Sequence, residues 1–159
     1  MRMEIQPHVG IGPIRFGMTR SEVAAAMRAI GGGEPVAKSA GIDMFCDISL
    51  HVEFTDDTVS FIEVGSGEEH EYLLAGMDVF DTPADALVAA LETLDTNDAA
   101  LGGKGSYCFP KLIVALWEAD TQYDRKGRET RPIFGAVGIG DSRYLSAIRA
   151  IRSRRNPEG

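Results

Sequence analysis

His51 stands between Asp47 and Glu53, with apolar residues alternating between them, so a strand would carry all three on one face. A carboxylate–histidine set is metal-ligand chemistry, but such a site needs three or four convergent ligands, and this spacing reads as the polar face of a sheet. His70 lies among Glu68, Glu69 and Glu71, an acidic loop. Cys46 and Cys108 each adjoin a phenylalanine, Phe45 and Phe109, and have no Cys-x-x-Cys spacing. Reduced, buried thiols are expected of them, since free cysteine packs as a small hydrophobe. Gly10-Ile11-Gly12 returns as Gly138-Ile139-Gly140, without the third glycine or strand-to-helix setting of a phosphate loop. Ser146 and the other serines have no histidine and aspartate arranged for nucleophilic work. No catalytic, cofactor-binding or metal-binding residue is assigned, and the chain is expected not to be an enzyme.

Recognition chemistry is better represented. In the run Lys111 to Trp117, Leu112, Val114 and Leu116 are expected to face a core, while Ile113, Ala115 and Trp117 face the other way and are also apolar. Ile62 and Val64 are expected to join the face of Ser49 and His51. A sheet apolar on both faces must cover the second one. The C-terminal helix or a second copy of the chain would do so; the alternative is a partner site centred on Trp117, because aromatic anchors dominate interface energetics. Tyr123 is expected at its rim. Between Lys38 and Lys104 there is no lysine or arginine, yet the stretch carries fifteen carboxylates, among them Glu53, Asp56, Asp57, Glu68 and Glu69. The net charge is −8, and Arg143, Arg149, Arg152, Arg154 and Arg155 gather some of the bases at the far end. That asymmetry argues for a basic protein partner and against nucleic acid, whose phosphates the body of the protein would repel.

The elements that must position these residues are legible from periodicity. Thr19 and Glu22 have the spacing of a capping box, and Val23, Met27 and Ile30 form one apolar stripe, predicting a helix over Arg20–Ile30 that Gly31-Gly32-Gly33 ends. Cys46, Ile48, Leu50, Val52 and Phe54 alternate with polar residues and predict one strand, which Thr55–Thr58 turns back into Val59–Val64. Thr82 is the expected cap of a second helix, with Pro83 at its first position, running to about Leu94. A second hairpin is expected from Tyr107–Glu118 and Ile133–Ile139, joined by a mobile charged connection over 120–132. A last helix covers about 142–154, with Tyr144, Leu145, Ile148 and Ile151 expected inward and the arginines outward.

The first half returns 64 residues later without a gap: Phe16 matches Phe80, Val23 Leu87, Met27 Leu91, Phe45 Phe109, Leu50 Val114 and Val52 Leu116. The expectation is one α+β domain over 1–159, made of a repeat over 10–74, a second over 75–140 and a basic helix with tail over 141–159. Each repeat is a helix followed by antiparallel strands, with the helices packed on one face of the sheet. No run of apolar residues approaches a membrane span, and the first residues lack the apolar core of a signal peptide, so the chain is expected to be cytoplasmic.

The segment Phe16-Gly17-Met18-Thr19-Arg20-Ser21-Glu22-Val23 resembles the phrase that opens the helix in the BLIP-like group. That group includes the outer-membrane assembly lipoprotein BamE and the β-lactamase inhibitory protein. The resemblance implies a helix-plus-sheet unit, repeated in tandem in the inhibitory protein, whose concave sheet grips its target. It points to a binding scaffold, and to an immunity protein that neutralises a basic toxin through an acidic surface and a sheet face. A small-ligand-binding protein or enzyme using a cavity between the sheet and the 120–132 loop is the alternative. A homodimer is a further one.

Overall fold

The structure, a computed structural model, describes residues 1–155 except Glu68 and Glu118. It is an α+β fold with four helices and fourteen strands among those residues. The first half contains β1 (Arg2–Gln6), β2 (Gly10–Ile11), β3 (Ile14–Arg15), α1 (Arg20–Ala29), β4 (Ala37–Lys38), β5 (Ile42–Phe45), β6 (Leu50–Thr55) and β7 (Thr58–Gly65). Then come β8 (Glu71–Leu74), β9 (Met77–Asp78), α2 (Ala84–Glu92), α3 (Ala99–Gly102), β10 (Tyr107–Phe109) and β11 (Val114–Trp117). The chain ends with β12 (Asp120–Tyr123), β13 (Thr130–Ile133), β14 (Ala136–Gly140) and α4 (Ser142–Arg155).

Seven strands form the main sheet, in the order β10-β11-β14-β7-β6-β5-β4. A second sheet runs β3-β2-β1-β8-β9, and β12-β13 is a separate two-stranded ribbon. Among the described pairs only β1 and β8 are parallel. One continuous core joins Val52, Ile62, Val114, Leu116, Val137 and Ile139 of the main sheet to Val23 and Met27 of α1 and Leu87 and Leu91 of α2. Met3, Ile5, Tyr72 and Leu74 bring the smaller sheet into the same core. Positions 64 apart occupy corresponding elements. Phe45 and Phe109 end β5 and β10, Leu50 and Val114 open β6 and β11, and β7 and β14 meet at the middle of the sheet.

Helix α1 starts as its sequence dictates. Thr19 Oγ1 accepts from the Glu22 amide at 3.3 Å, and Glu22 Oε2 accepts from the Thr19 amide at 2.8 Å. Two of the amides that a helix start leaves without partners are thereby satisfied. Ile30 is the C-cap and is exposed, and Gly31 takes the left-handed conformation (φ 78°) that closes the helix.

Three expectations are corrected. The strands expected over 46–54 and 107–118 are each a hairpin instead, with Phe45 opposite Leu50 across the turn Cys46-Asp47-Ile48-Ser49, and Phe109 opposite Val114 across 110–113. Cys46, Asp47 and Ile48 all have positive φ (52°, 51° and 67°), and Ile48 points outward at 60% exposed. No glycine or proline marks this turn, and its apolar residues merely prolong the alternation of Leu50 and Val52. Helix α2 begins one residue later than expected. Pro83 (φ −52°, ψ 138°) is the extended N-cap, and no side chain caps the helix; the Asp85 carboxylate accepts instead from the Ala86 amide at 2.8 Å.

The third correction is the stretch over 120–132, which is the β12–β13 ribbon rather than a mobile connection. Its polar sequence carries no apolar alternation because charge pairs hold it. Arg125 Nε meets Asp78 Oδ2 at 2.6 Å, and Arg131 meets Asp81 and Asp124, each at 3.2 Å.

Candidate functional site

Residues directly opposite one another in a ladder share a face. On the second face of the main sheet, away from α1 and α2, Glu53 lies opposite Phe61, Phe61 opposite Gly140, and His51 opposite Glu63. Glu63 lies opposite Gly138, Gly138 opposite Ala115, and Ala136 opposite Trp117.

A β-bulge builds this arrangement. The tight turn Asp56-Asp57, both at positive φ (49° and 63°), is closed by the Thr55–Thr58 pair. Counting back from that turn would set Ile62 opposite His51, as the alternation suggested. Instead the register shifts between Glu53 and Phe54, and Ser60 is the extra residue of β7. A slip of one residue turns a strand over. Ile62 and Val64 therefore fall opposite Val52 and Leu50 in the core, both at 0% exposed, rather than on the face of His51, while Phe61 and Glu63 join Glu53 and His51.

Helix α4 lies over one half of this face. Tyr144 stacks on Phe61 with ring centroids 4.1 Å apart and planes 16° apart, and Trp117 meets Phe61 edge-on at 6.0 Å. The glycine pair makes room for these rings. A Cβ on Gly138 would sit 2.4 Å from the Phe61 ring and 2.9 Å from that of Trp117; one on Gly140 would sit 2.5 Å from the Tyr144 ring. Gly138-Ile139-Gly140 is thus an aromatic trough. Arg143 fixes the start of the helix, donating to the carbonyls of Thr55 (2.7 Å) and Val59 (3.0 Å), to Thr58 Oγ1 (2.9 Å) and to Asp141 Oδ2 (2.8 Å). The Asp141 amide donates to the carbonyl of the bulged Ser60 at 2.9 Å.

The other half of the face remains open, with His51, Glu53 and Glu63 all half-buried. Burial pushes the Glu53 carboxyl above its ordinary range, and the neighbouring charge of Glu63 adds to this, while His51 pulls it down. Glu53 enters no ion pair among the described residues. The Tyr144 hydroxyl is held well above the usual tyrosine range, chiefly by burial, with Cys108, Glu53 and Glu63 contributing. His51 Nε2 lies 2.7 Å from the Ile48 carbonyl. Beyond Trp117 a cleft of about 170 Å³ runs between α3, β10, β11 and α4, lined by Cys108, Ile148 and Arg152 among others. Burial pushes the Cys108 thiol up to about 11, and Cys46 and Cys108 are both free thiols.

The remaining expected residues scatter. Ile113 is in the turn before β11 at 8% exposed and φ 54°, its carbonyl taken by the Gly140 amide, so it is not on the Trp117 face. Tyr123 is 68% exposed but borders a separate groove with Ser66, Gly67 and Arg125, rather than the rim of the Trp117 cleft. Asp56 and Asp57 are exposed at the β6–β7 turn. Glu69 is exposed too, its carbonyl accepting from the Met1 amine, and Glu68 lies outside the described residues. Among the described residues no three histidine, cysteine or acidic side chains gather as metal ligands. Phe61 and Glu63 are not singled out by the sequence; the glycine doublet and the inward position expected of Tyr144 are the available signals, while Ile151, expected inward with it, is exposed.

No family model matches the chain, and no solved structure matches it. A proline–tRNA ligase of Levilactobacillus brevis is 32% identical over an alignment of 126 positions that covers 72% of this chain and 21% of that enzyme. The chain thus spans about a fifth of the length of the curated relative it matches. No helix among the described residues is long and apolar enough to cross a membrane.

Proposed function

We propose that this is a non-enzymatic cytoplasmic protein whose work is to bind a basic protein partner through the open half of the main sheet. The observation that carries the reading is the Glu53–Glu63 pair. A bulge brings two half-buried carboxylates to diagonal positions on one face, in a stretch with fifteen carboxylates and no lysine or arginine. Unlike charge on the partner speeds encounter and penalises wrong partners. The resemblance of Phe16–Val23 to the BLIP-like phrase, and the paired elements 64 residues apart, favour a duplicated binding scaffold, and within that an immunity protein facing a basic toxin. Trp117 and Tyr144, both packed on the buried Phe61, would form the apolar margin of the interface. A role on nucleic acid, which the ligase relative's name suggests, meets a net charge of −8 that repels phosphates.

Capture from a lysate of the native organism, at low and at physiological salt, tests the reading. A basic protein retained at low salt, reduced at physiological salt and weakened by Glu53→Gln is the expected result; capture of no basic protein at either salt overturns it. The alternative, a small-ligand protein or enzyme, draws on the groove of about 480 Å³ bordered by Ser66, Gly67 and Tyr123. A ligand screen by thermal shift, with and without EDTA, would favour it, because ligands of the native state raise the melting point by mass action.

A further inference from the structure

We propose that the cleft beneath α4 is a binding site for a small aromatic carboxylate, its ring held among Trp117, Tyr107 and Tyr144 and its charge on Arg152.

The cleft has the size and the lining of a one-ring site. Its volume is about 170 Å³, and an apolar cavity of roughly 150 Å³ accepts a benzene ring. Three aromatic side chains bound it, each held in turn by a buried phenylalanine. Trp117 meets Phe61 edge-on at 6.0 Å, Tyr144 stacks on Phe61 at 4.1 Å, and Tyr107 meets Phe134 edge-on at 5.7 Å. These walls are formed before a ligand arrives, which spares the ordering that binding otherwise costs. Helix α4 leaves the room: none of its fourteen residues is fully buried, and Tyr144 and Ile148 stay half-buried along the cleft. A ring in the cleft would complete packing that the helix leaves incomplete.

Arg152 supplies the charge. It lines the cleft, half-buried, and its Nη2 donates to the Leu101 carbonyl at 2.9 Å. It makes no other hydrogen bond and no ion pair among the described residues. A guanidinium carries five donors in a planar fork, so one edge with two parallel N–H groups remains for a carboxylate. Arg149 is close enough for its charge to be felt at Cys108, so this cleft is locally positive in a molecule of net charge −8. Cys108 also lines the cleft. Burial pushes its thiol up to about 11, with Asp98 and Asp95 adding to this and Arg149 and Arg152 opposing it. At neutral pH it is therefore an uncharged apolar wall, not an anion that would repel the ligand. Asp98 and Asp95 turn their carboxylates to backbone amides, those of Ala100 and Leu101 for the one and of Thr96, Lys111 and Leu112 for the other. None of His51, Glu53 and Glu63 lines the cleft, so the site is distinct from the acidic half of the face.

The test titrates benzoate, benzamide and cyclohexanecarboxylate into the full chain and reads the emission of Trp117, the single tryptophan. Benzoate should change it saturably with a Kd on the order of 1 mM, ordinary for so small a ligand. Benzamide has the ring without the charge and should bind about ten-fold more weakly, the scale of a lost charge-assisted hydrogen bond. Cyclohexanecarboxylate has the charge without the aromatic ring and should bind about three-fold more weakly. Arg152→Met should weaken benzoate by about ten-fold and leave benzamide unchanged, a contrast that a general disturbance of the fold would not give. Amide chemical shifts should place benzoate against residues 101–108, 115–117 and 144–152. No saturation by about ten times the expected Kd, equal affinity for benzoate and benzamide, or shifts scattered over basic residues elsewhere would overturn the site. So would an Arg152→Met variant that binds benzoate as the wild type does. If that variant does not fold, benzoate against benzamide on the wild type still decides.

Discussion

Glu53 is a carboxylate whose folded environment disfavours its charge. Burial and Glu63 raise its pKa above the unfolded value, so ionisation at neutral pH opposes folding. That opposition is fully present above the raised value and fades as pH falls through it toward the unfolded one. Glu53→Gln should therefore raise the melting midpoint at pH 7, by no more than about 2 °C because half the side chain is in water. The gain should shrink on acidification, and thermal unfolding followed from pH 7 to pH 4 checks both points. A midpoint lowered at pH 7 would show that Glu53 already has a favourable partner. At this scale the sequence named His51, Glu53 and Trp117, which the structure sets on one face. It placed Ile62 there wrongly and missed Phe61 and Glu63, for a single reason: the bulge at Ser60 slips the register by one residue, and alternation cannot announce a bulge.

Helix α4 is held at its start by Arg143 and seated by Tyr144 lying flat on Gly140. Gly140→Ala would drive a methyl group against the Cβ and ring of Tyr144, at 2.8 Å and 2.5 Å, and the helix would have to lift. Such overpacking costs about 1–3 kcal/mol, to be read as a lower urea midpoint with an unchanged slope. A shift in the emission of Trp117, the single tryptophan, should accompany it, because Phe61 links the two rings.

The β12–β13 ribbon is a different kind of element, fastened by charge. The Arg128 amide lowers the pKa of Asp124, burial works against it, and Arg131 lowers it further. A depressed carboxyl contributes stability above its unfolded value, and that contribution is lost as pH falls through the folded one. The deficit of Asp124→Asn relative to the wild type should thus stay constant from pH 7 to 5 and close below roughly pH 4, where free aspartate titrates. A deficit that persists at pH 2.5 would mean the ribbon is held by something else. Capping made α1 readable from sequence, and apolar spacing gave the α4 span. The ribbon was not readable, because nothing in Thr-Gln-Tyr or Thr-Arg-Pro distinguishes a docked polar strand from a solvated loop.

At the level of the whole molecule, the 64-residue offset links α1 to α2, β5 to β10 and β6 to β11. It could not anticipate the smaller sheet. β2, β3 and β9 are two residues each, too short to show a period, and β1 finds β8 across 64 residues of chain. A comparable separation within the main sheet has a consequence during synthesis. β7 buries four apolar residues in the finished fold, Val59, Phe61, Ile62 and Val64. Its neighbour on one side, β6, leaves the ribosome just before it; its neighbour on the other, β14, follows only after 70 further residues. At the usual pace of translation that is a delay on the order of ten seconds, during which β7 is an open edge of the kind that recruits other nascent chains. Slow codons between the two strands would therefore lower the yield of soluble protein while leaving the stability of every molecule that does fold unchanged.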